Sequence, residues 1–231
     1  MIFGGLQKQT LIDYPGKLAC ILFTSGCNFT CPYCHNPSLV GKPGAHGPVL
    51  ALDSVYGFLQ KRRELLDGIV ISGGEPTLHP ELSTVCHHFH RMGYAIKLDT
   101  NGSHPEVLDR LIQNKLVDFI AMDVKTDPAA YPRQISPQNC MEAIQQSIAL
   151  IMNCGLPYEF RTTCVPPFVD EPILNKIVRS ITGARCYALQ TFKAENILSP
   201  TFFKDQSPYS REDLLGFQKL AAPWVQTCLV R

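Results

Sequence analysis

Short apolar runs alternate with longer stretches whose apolar residues return every three to four positions, and the rhythm repeats along most of the chain. KLACILFTSG (17–26) reads as a strand. After a cysteine-bearing loop, DSVYGFLQKRRELLD (53–67) has helical spacing, with Asp53 placed to cap it. GIVISGG (68–74) is the next strand, and its helix over 79–93 stops at Gly93. YAIKLDTNG (94–102) pairs with a helix over 105–116, and VDFIAMDVK (117–125) with a helix over 138–155. YEFRTTCVP (158–166) with a helix over 171–182, and CYALQTF (186–192) with a helix over 211–222, complete six units. The first 16 residues predict a small β extension, and GKPGAHGP (41–48) a flexible loop.

Strand followed by helix, six times over, predicts parallel strands joined by right-handed crossovers. The strands are apolar on both faces, as a sheet covered by helices requires. Six units fall two short of a closed eightfold barrel. The expected fold is therefore α/β, a partial, open (β/α)6 TIM-like barrel forming one domain over 1–231. A doubly wound flat sheet is the competing arrangement.

Composition narrows the partners more than the fold. Lys and Arg number 21 against 20 Asp and Glu, and a net charge of +1 gives no electrostatic case for nucleic acid. No apolar run reaches membrane-spanning length, and MIFGGLQKQT lacks a basic region followed by an apolar run. A soluble, cytoplasmic protein is expected. Of ten cysteines, Cys20, Cys86, Cys140, Cys154, Cys164, Cys186 and Cys228 are scattered and read as reduced core residues.

In parallel α/β folds the site lies at the carboxyl ends of the strands. There the first strand runs through Gly26 into Cys27, Cys31 and Cys34, and the second ends in Gly73, Gly74 and Glu75. The third ends in Asp99, Thr100 and Asn101, and alternation puts Asp123 and Lys125 on one face of the fourth. The fifth carries Glu159, Arg161 and Thr163 on one face, and the sixth carries Gln190 at its end. Each alone fits a turn or a structural pair. Together, at one edge of apolar strands, they mark a site.

Cys27-x3-Cys31-x2-Cys34 offers three soft ligands in one compact loop, and His35 follows Cys34 too closely to complete a tetrahedron. Structural zinc normally takes four ligands, and no second cysteine pair has the spacing. A [4Fe–4S] cluster is normally held by four thiolates; held by three, it keeps one iron open to another ligand. A zinc-binding structural module and a thiol redox protein, suggested by Cys31-Pro-Tyr-Cys34, are the other readings.

The series CNFTCPYCHNP, SGGEPTL, LDTNG and AMDVK resembles the radical S-adenosylmethionine (SAM) superfamily, and within it the glycyl-radical activating enzymes. It is most similar to the activating proteins of anaerobic ribonucleoside-triphosphate reductase, with pyruvate formate-lyase activating enzyme as the nearest relative. The resemblance runs from about residue 5 into the 190s. It implies a barrel of the radical SAM type, in which Cys27, Cys31 and Cys34 ligate one [4Fe–4S] cluster whose fourth iron chelates SAM. Gly73, Gly74 and Glu75 would hold the methionine amino group, Tyr33 and His35 would lie by the adenine, and Asp123 and Lys125 would contact ribose and carboxylate. In the pyruvate formate-lyase activase, residues matching Asp99, Thr100 and Asp123 help bind a monovalent cation, so such a site is expected here too. Asn101, Arg161 and Gln190 complete the cofactor-facing set, Gln190 or its neighbours standing where that relative has a SAM-contacting histidine. Arg161 and Thr163 are also candidates to meet the substrate segment.

The implied chemistry starts with a one-electron donor such as flavodoxin or ferredoxin, which reduces the cluster. SAM is then cleaved, and the 5′-deoxyadenosyl radical takes a hydrogen atom from a glycine of a partner enzyme. Activation of pyruvate formate-lyase or another glycyl-radical enzyme, or a radical SAM reaction on a small molecule or RNA, is the alternative.

Overall fold

The computed structural model describes residues 1–45, 47 and 49–231, so part of the loop expected over 41–48 lies outside the described residues. Two compact units account for the contacts. The first comprises Met1–Asn28, Ser38–Thr100 and Glu106–Ile120, and the second Phe29–Pro37, Asn101–Pro105 and Ala121–Arg231.

In the first unit β1 (Phe3–Thr10), β2 (Ala19–Thr24), β3 (Gly68–Gly73) and β4 (Ala95–Thr100) lie side by side in chain order. β1 is the expected extension, antiparallel to β2 with Phe3 opposite Thr24. β2, β3 and β4 are parallel, with Ala19 opposite Gly68 and Gly68 opposite Ala95. Tyr14, Ala19, Ile21 and Val70 form a buried cluster with Phe23, Ala95 and Phe119 against it, which is why these strands read as continuous apolar runs. α1 (Leu52–Gln60), α2 (Leu82–Arg91) and most of α3 (Pro105–Gln113) bury one stripe each, through residues such as Val55 and Leu59, Val85 and Phe89, or Leu108 and Leu111.

Helix α1 ends short of the expected Asp67. Arg62 N–H donates to Leu59 and Leu65 N–H to Arg62, tight turns in place of the helical ladder. Leu65 is exposed while Leu66 is buried, so the apolar spacing after Gln60 serves a turn rather than a helix face.

β5 (Phe119–Asp123) begins in the first unit and ends in the second. In the second unit Val124 N–H donates to Arg161 on β6 (Tyr158–Cys164) at 2.8 Å. β7 (Tyr187–Thr191) and β8 (Cys228–Val230) continue in parallel, with Phe160 opposite Tyr187 and Tyr187 opposite Cys228. β8 has no counterpart in the sequence reading. Its three residues are too few to show a period and no helix follows them.

α4 (Met141–Asn153), α5 (Glu171–Ser180) and α6 (Arg211–Ala221) fall close to the expected spans. α5 starts where the Asp170 carboxylate accepts from Ile173 N–H, with Pro172 in the first turn. α6 starts in a capping box between Ser210 and Asp213. Beneath the helices the Tyr187 hydroxyl donates to Thr162 Oγ1 at 2.8 Å, and Thr162 donates to the Val124 carbonyl at 2.6 Å. No helix among the described residues is long and apolar enough to cross a membrane. The seven scattered cysteines are all unbridged thiols; Cys20, Cys86, Cys140 and Cys164 are buried as expected, whereas Cys154, Cys186 and Cys228 are half-buried rather than core.

Candidate active site

In the first unit the chain leaves β2 through Ser25, Gly26 and Cys27, and leaves β3 through Gly73, Gly74 and Glu75. The two exits are stitched together: Gly74 N–H donates to the Thr24 carbonyl at 2.8 Å, and Glu75 N–H to the Gly26 carbonyl at 2.7 Å. Gly73 has φ +101°, and a Cβ at Gly74 would sit 2.0 Å from the Gly26 carbonyl oxygen. The paired glycines are thus fixed by the close approach of two backbones within the fold.

Glu75 is fully buried. Its Oε1 accepts from Thr77 N–H at 3.1 Å, from the Thr77 hydroxyl at 2.5 Å and from the Thr100 hydroxyl at 2.8 Å. The carboxylate therefore ties the end of β3 to the end of β4. Next to Thr100, Asp99 Oδ1 lies 2.6 Å from Lys97 Nζ, and its Oδ2 accepts from the Ser72 hydroxyl at 3.0 Å. Lys97 is only 1% exposed, and its ammonium lies 5.7 Å from the centre of the Phe119 ring. Sequence reasoning missed Lys97. The signal was present: Lys97 and Asp99, two apart on one strand, must share a face.

In the second unit the segment carrying Cys31 and Cys34 is anchored at several points. Thr30 N–H donates to Ile135, Ser199 N–H to Pro32 and Leu198 N–H to Cys34. Cys31 and Cys34 are bridged by a turn, Cys34 N–H to the Cys31 carbonyl at 2.9 Å, and Asn36 N–H donates to Cys34 Sγ at 3.4 Å. Burial pushes the Cys31 thiol up to about 11 against the pull of the Lys125 ammonium. Tyr33 is buried against Phe168 and Phe192, with ring centres 5.7 and 6.4 Å away, and His35 is exposed beside the same Phe192 at 6.1 Å. Among the described residues the Tyr33 hydroxyl has no hydrogen-bond partner.

Asp123, Lys125 and Arg161 come together as a charged triad. Arg161 Nε donates to Asp123 Oδ1 at 2.8 Å and Lys125 Nζ to Oδ2 at 3.2 Å. Burial alone would raise the Asp123 carboxyl, but the guanidinium and the ammonium outweigh it and hold it down at about 2. Burial likewise works against the Lys125 charge, and Asp123 more than offsets it. The Lys125 N–H donates to the Tyr131 hydroxyl at 2.9 Å, a contact not foreseen. Asn101 is spent on its own turn, its Oδ1 accepting from Ser103 N–H at 2.9 Å. Gln190 stands near the end of β7 opposite Thr163.

A groove of about 870 Å³ on the second unit, lined among others by Gln145, Ile148, Lys176 and Arg179, holds none of the expected site residues. A cavity of about 380 Å³ borders Phe168, which packs on Tyr33.

The sequence profile of the Radical SAM superfamily matches residues 21–177. A candidate glycyl-radical enzyme activating enzyme of Methanocaldococcus jannaschii is 32% identical over 235 residues, covering 100% of this chain and 95% of its own. The pyruvate formate-lyase-activating enzyme of Clostridium pasteurianum is 29% identical over 78% of this chain and 76% of its own. Among solved structures, Streptococcus suis SuiB bound to S-adenosylmethionine matches 90% of this chain and 51% of its own, with a TM-score of 0.67 at 11% identity. A domain of the pyruvate-formate lyase-activating enzyme of Bacteroides vulgatus matches 70% of this chain and 98% of its own, with a TM-score of 0.55 at 17% identity. These likenesses show the fold, the expected partial (β/α)6 barrel of the radical SAM type.

Superfamily membership brings a [4Fe–4S] cluster and SAM as cofactors, and the residues present fit them. Cys31 and Cys34 carry unbridged thiols, and the Asn36 amide aimed at Cys34 Sγ is the kind of donor that tunes a cluster sulfur. Among the described residues no three ligating side chains converge as for a single metal ion. A cubane does not ask for that, since each thiolate meets a different iron. The zinc-module and thiol-redox readings give way to an enzyme. The chain belongs to the radical SAM superfamily and, within it, to the glycyl-radical enzyme activating enzymes.

Proposed function

We propose that this protein activates anaerobic ribonucleoside-triphosphate reductase by placing a radical on a backbone glycine of that partner. The observation that carries the reading is the thiol loop that follows β2, with three cysteines and no fourth at ligand spacing, entered from Gly26, whose carbonyl accepts from Glu75 N–H. Cys27, Cys31 and Cys34 would hold the cluster. When bound and reduced, cluster and SAM together supply a 5′-deoxyadenosyl radical that removes a hydrogen atom from a glycine Cα.

The chain's own residues do the holding. Gly73 and Gly74 would present bare backbone to the methionine amino group, with Glu75 keeping that turn rigid. The buried Tyr33 hydroxyl is a donor with no protein acceptor among the described residues, suited to a polar edge of the adenosine, and His35 would close the same side. Asp123 is an acceptor for ribose hydroxyls, and Lys125, with Gln190 and Asp99, would complete the cosubstrate contacts. Arg161 would hold Asp123 in place, with Thr163 meeting the partner's segment. The partial barrel suits a substrate that is itself a stretch of protein. A one-electron donor such as flavodoxin or ferredoxin, and a cytoplasmic location, belong to the same reading.

The 29% identity to pyruvate formate-lyase-activating enzymes favours a second reading, in which the partner is pyruvate formate-lyase or a related glycyl-radical enzyme. The first test is shared. Anaerobically reconstituted protein should be brown, hold roughly four irons, and release 5′-deoxyadenosine from SAM on reduction. Cys31→Ala should lose that release. A colourless protein, or an undiminished Cys31→Ala variant, would refute the assignment.

A further inference from the structure

Lys97 is a buried cation that the cofactor assignments leave unused. Lysine is rarely buried to this degree, and an ammonium taken out of water is strongly destabilising unless it is paired. Val70, which stands opposite Lys97 on β3 and shares its face, is wholly buried and apolar, so methionine or leucine at 97 would pack at lower cost. The ammonium instead contacts Asp99 at 2.6 Å and lies over Phe119, while Ser72 from β3 binds the other Asp99 oxygen. The residue after Asp99 is Thr100, whose hydroxyl holds Glu75. Lys97 thus fixes Asp99 on the same strand end whose next residue, Thr100, braces the Gly-Gly-Glu turn through Glu75.

We propose that Lys97 is a positioning residue for the cosubstrate site. Its ammonium neutralises Asp99 and aims that carboxylate, the service a bound monovalent cation would otherwise perform there. The proposal rests on the activase reading, in which Asp99 faces SAM. It adds that SAM binding in this chain is independent of potassium or sodium, because the cation is covalently built in.

The test compares wild type and Lys97→Met, both loaded with iron and sulfide, in potassium, ammonium and tetramethylammonium chloride. Two quantities are read: the melting temperature without SAM, and the dissociation constant for SAM by equilibrium dialysis. Wild type should give the same values in all three salts. Lys97→Met should bind SAM about tenfold more weakly in tetramethylammonium and recover in ammonium or potassium. Its melting temperature should rise selectively with those small ions. A Lys97→Met protein that matches wild type in every salt, or that is weakened with no recovery in any, overturns the proposal. So does a wild type that needs potassium, a measurement that does not depend on any variant folding. A wild type that binds no SAM at all refutes the activase reading instead, and the melting comparison then judges Lys97 by itself.

Discussion

Glu75 carries a charge into a fully buried position and collects three donors on one oxygen. Glu75→Ala would remove the buried acceptor that the Thr77 and Thr100 hydroxyls share, and unfolding in urea should show a loss of about 3 kcal/mol. Gly74→Ala should be at least as damaging, because the added carbon would meet backbone that cannot swing away. Poor accumulation of soluble protein or a sharply lowered melting temperature is the expected result. Asp123 gives a pH signature. Its folded carboxyl titrates at about 2 against an ordinary 3.8, so its contribution is present above the ordinary value and fades as pH falls through the folded one. Allowing for its partial exposure, Asp123→Asn should be less stable than wild type by about 1 to 2 kcal/mol near neutrality. The gap should close between about pH 4 and pH 2 in urea titrations. A gap unchanged across that range would mean that the triad with Arg161 and Lys125 is not what holds Asp123.

The elements show where sequence reading works and where it stops. β2, β3 and β4 were legible because strands buried on both faces leave unbroken apolar runs, as in ACILFT. α5 and α6 were legible because Asp170 and Ser210 announce their starts. Asp170→Ala should lower stability by about 1 kcal/mol while leaving reductive SAM cleavage unchanged, since its carboxylate serves to cap the first turn of α5. The end of α1 was not legible, because Leu65 and Leu66 look like a continued helical stripe until the fold exposes the first and buries the second. β8 was invisible for want of length. Among the candidate site residues, identity was readable from motif spacing, but connectivity was not. Nothing local says that Thr100 braces Glu75, that Arg161 reaches Asp123 across 38 positions, or that Asn101 is consumed by its own turn. A lysine inside a strand reads as an exposed residue, so Lys97 was passed over until its 1% exposure put it beside Asp99.

At the scale of the whole molecule, a near-neutral chain of 231 residues with one compact thiol loop is economical for its proposed task. The cofactors supply the radical, and the protein supplies position, a rigid turn and a charged triad. The balance of 21 basic and 20 acidic residues offers no broad field to draw in a polyanion, so recognition of the partner falls to local contacts and should depend only weakly on salt. Activation rates measured between low and physiological ionic strength would check that expectation. The most direct test of the central claim is electron paramagnetic resonance. Reduced, cluster-loaded protein is incubated with SAM and, separately, with anaerobic ribonucleoside-triphosphate reductase and with pyruvate formate-lyase. The account predicts a glycyl-radical doublet on the reductase, formed in step with 5′-deoxyadenosine. Release of 5′-deoxyadenosine with no doublet on either enzyme would contradict it.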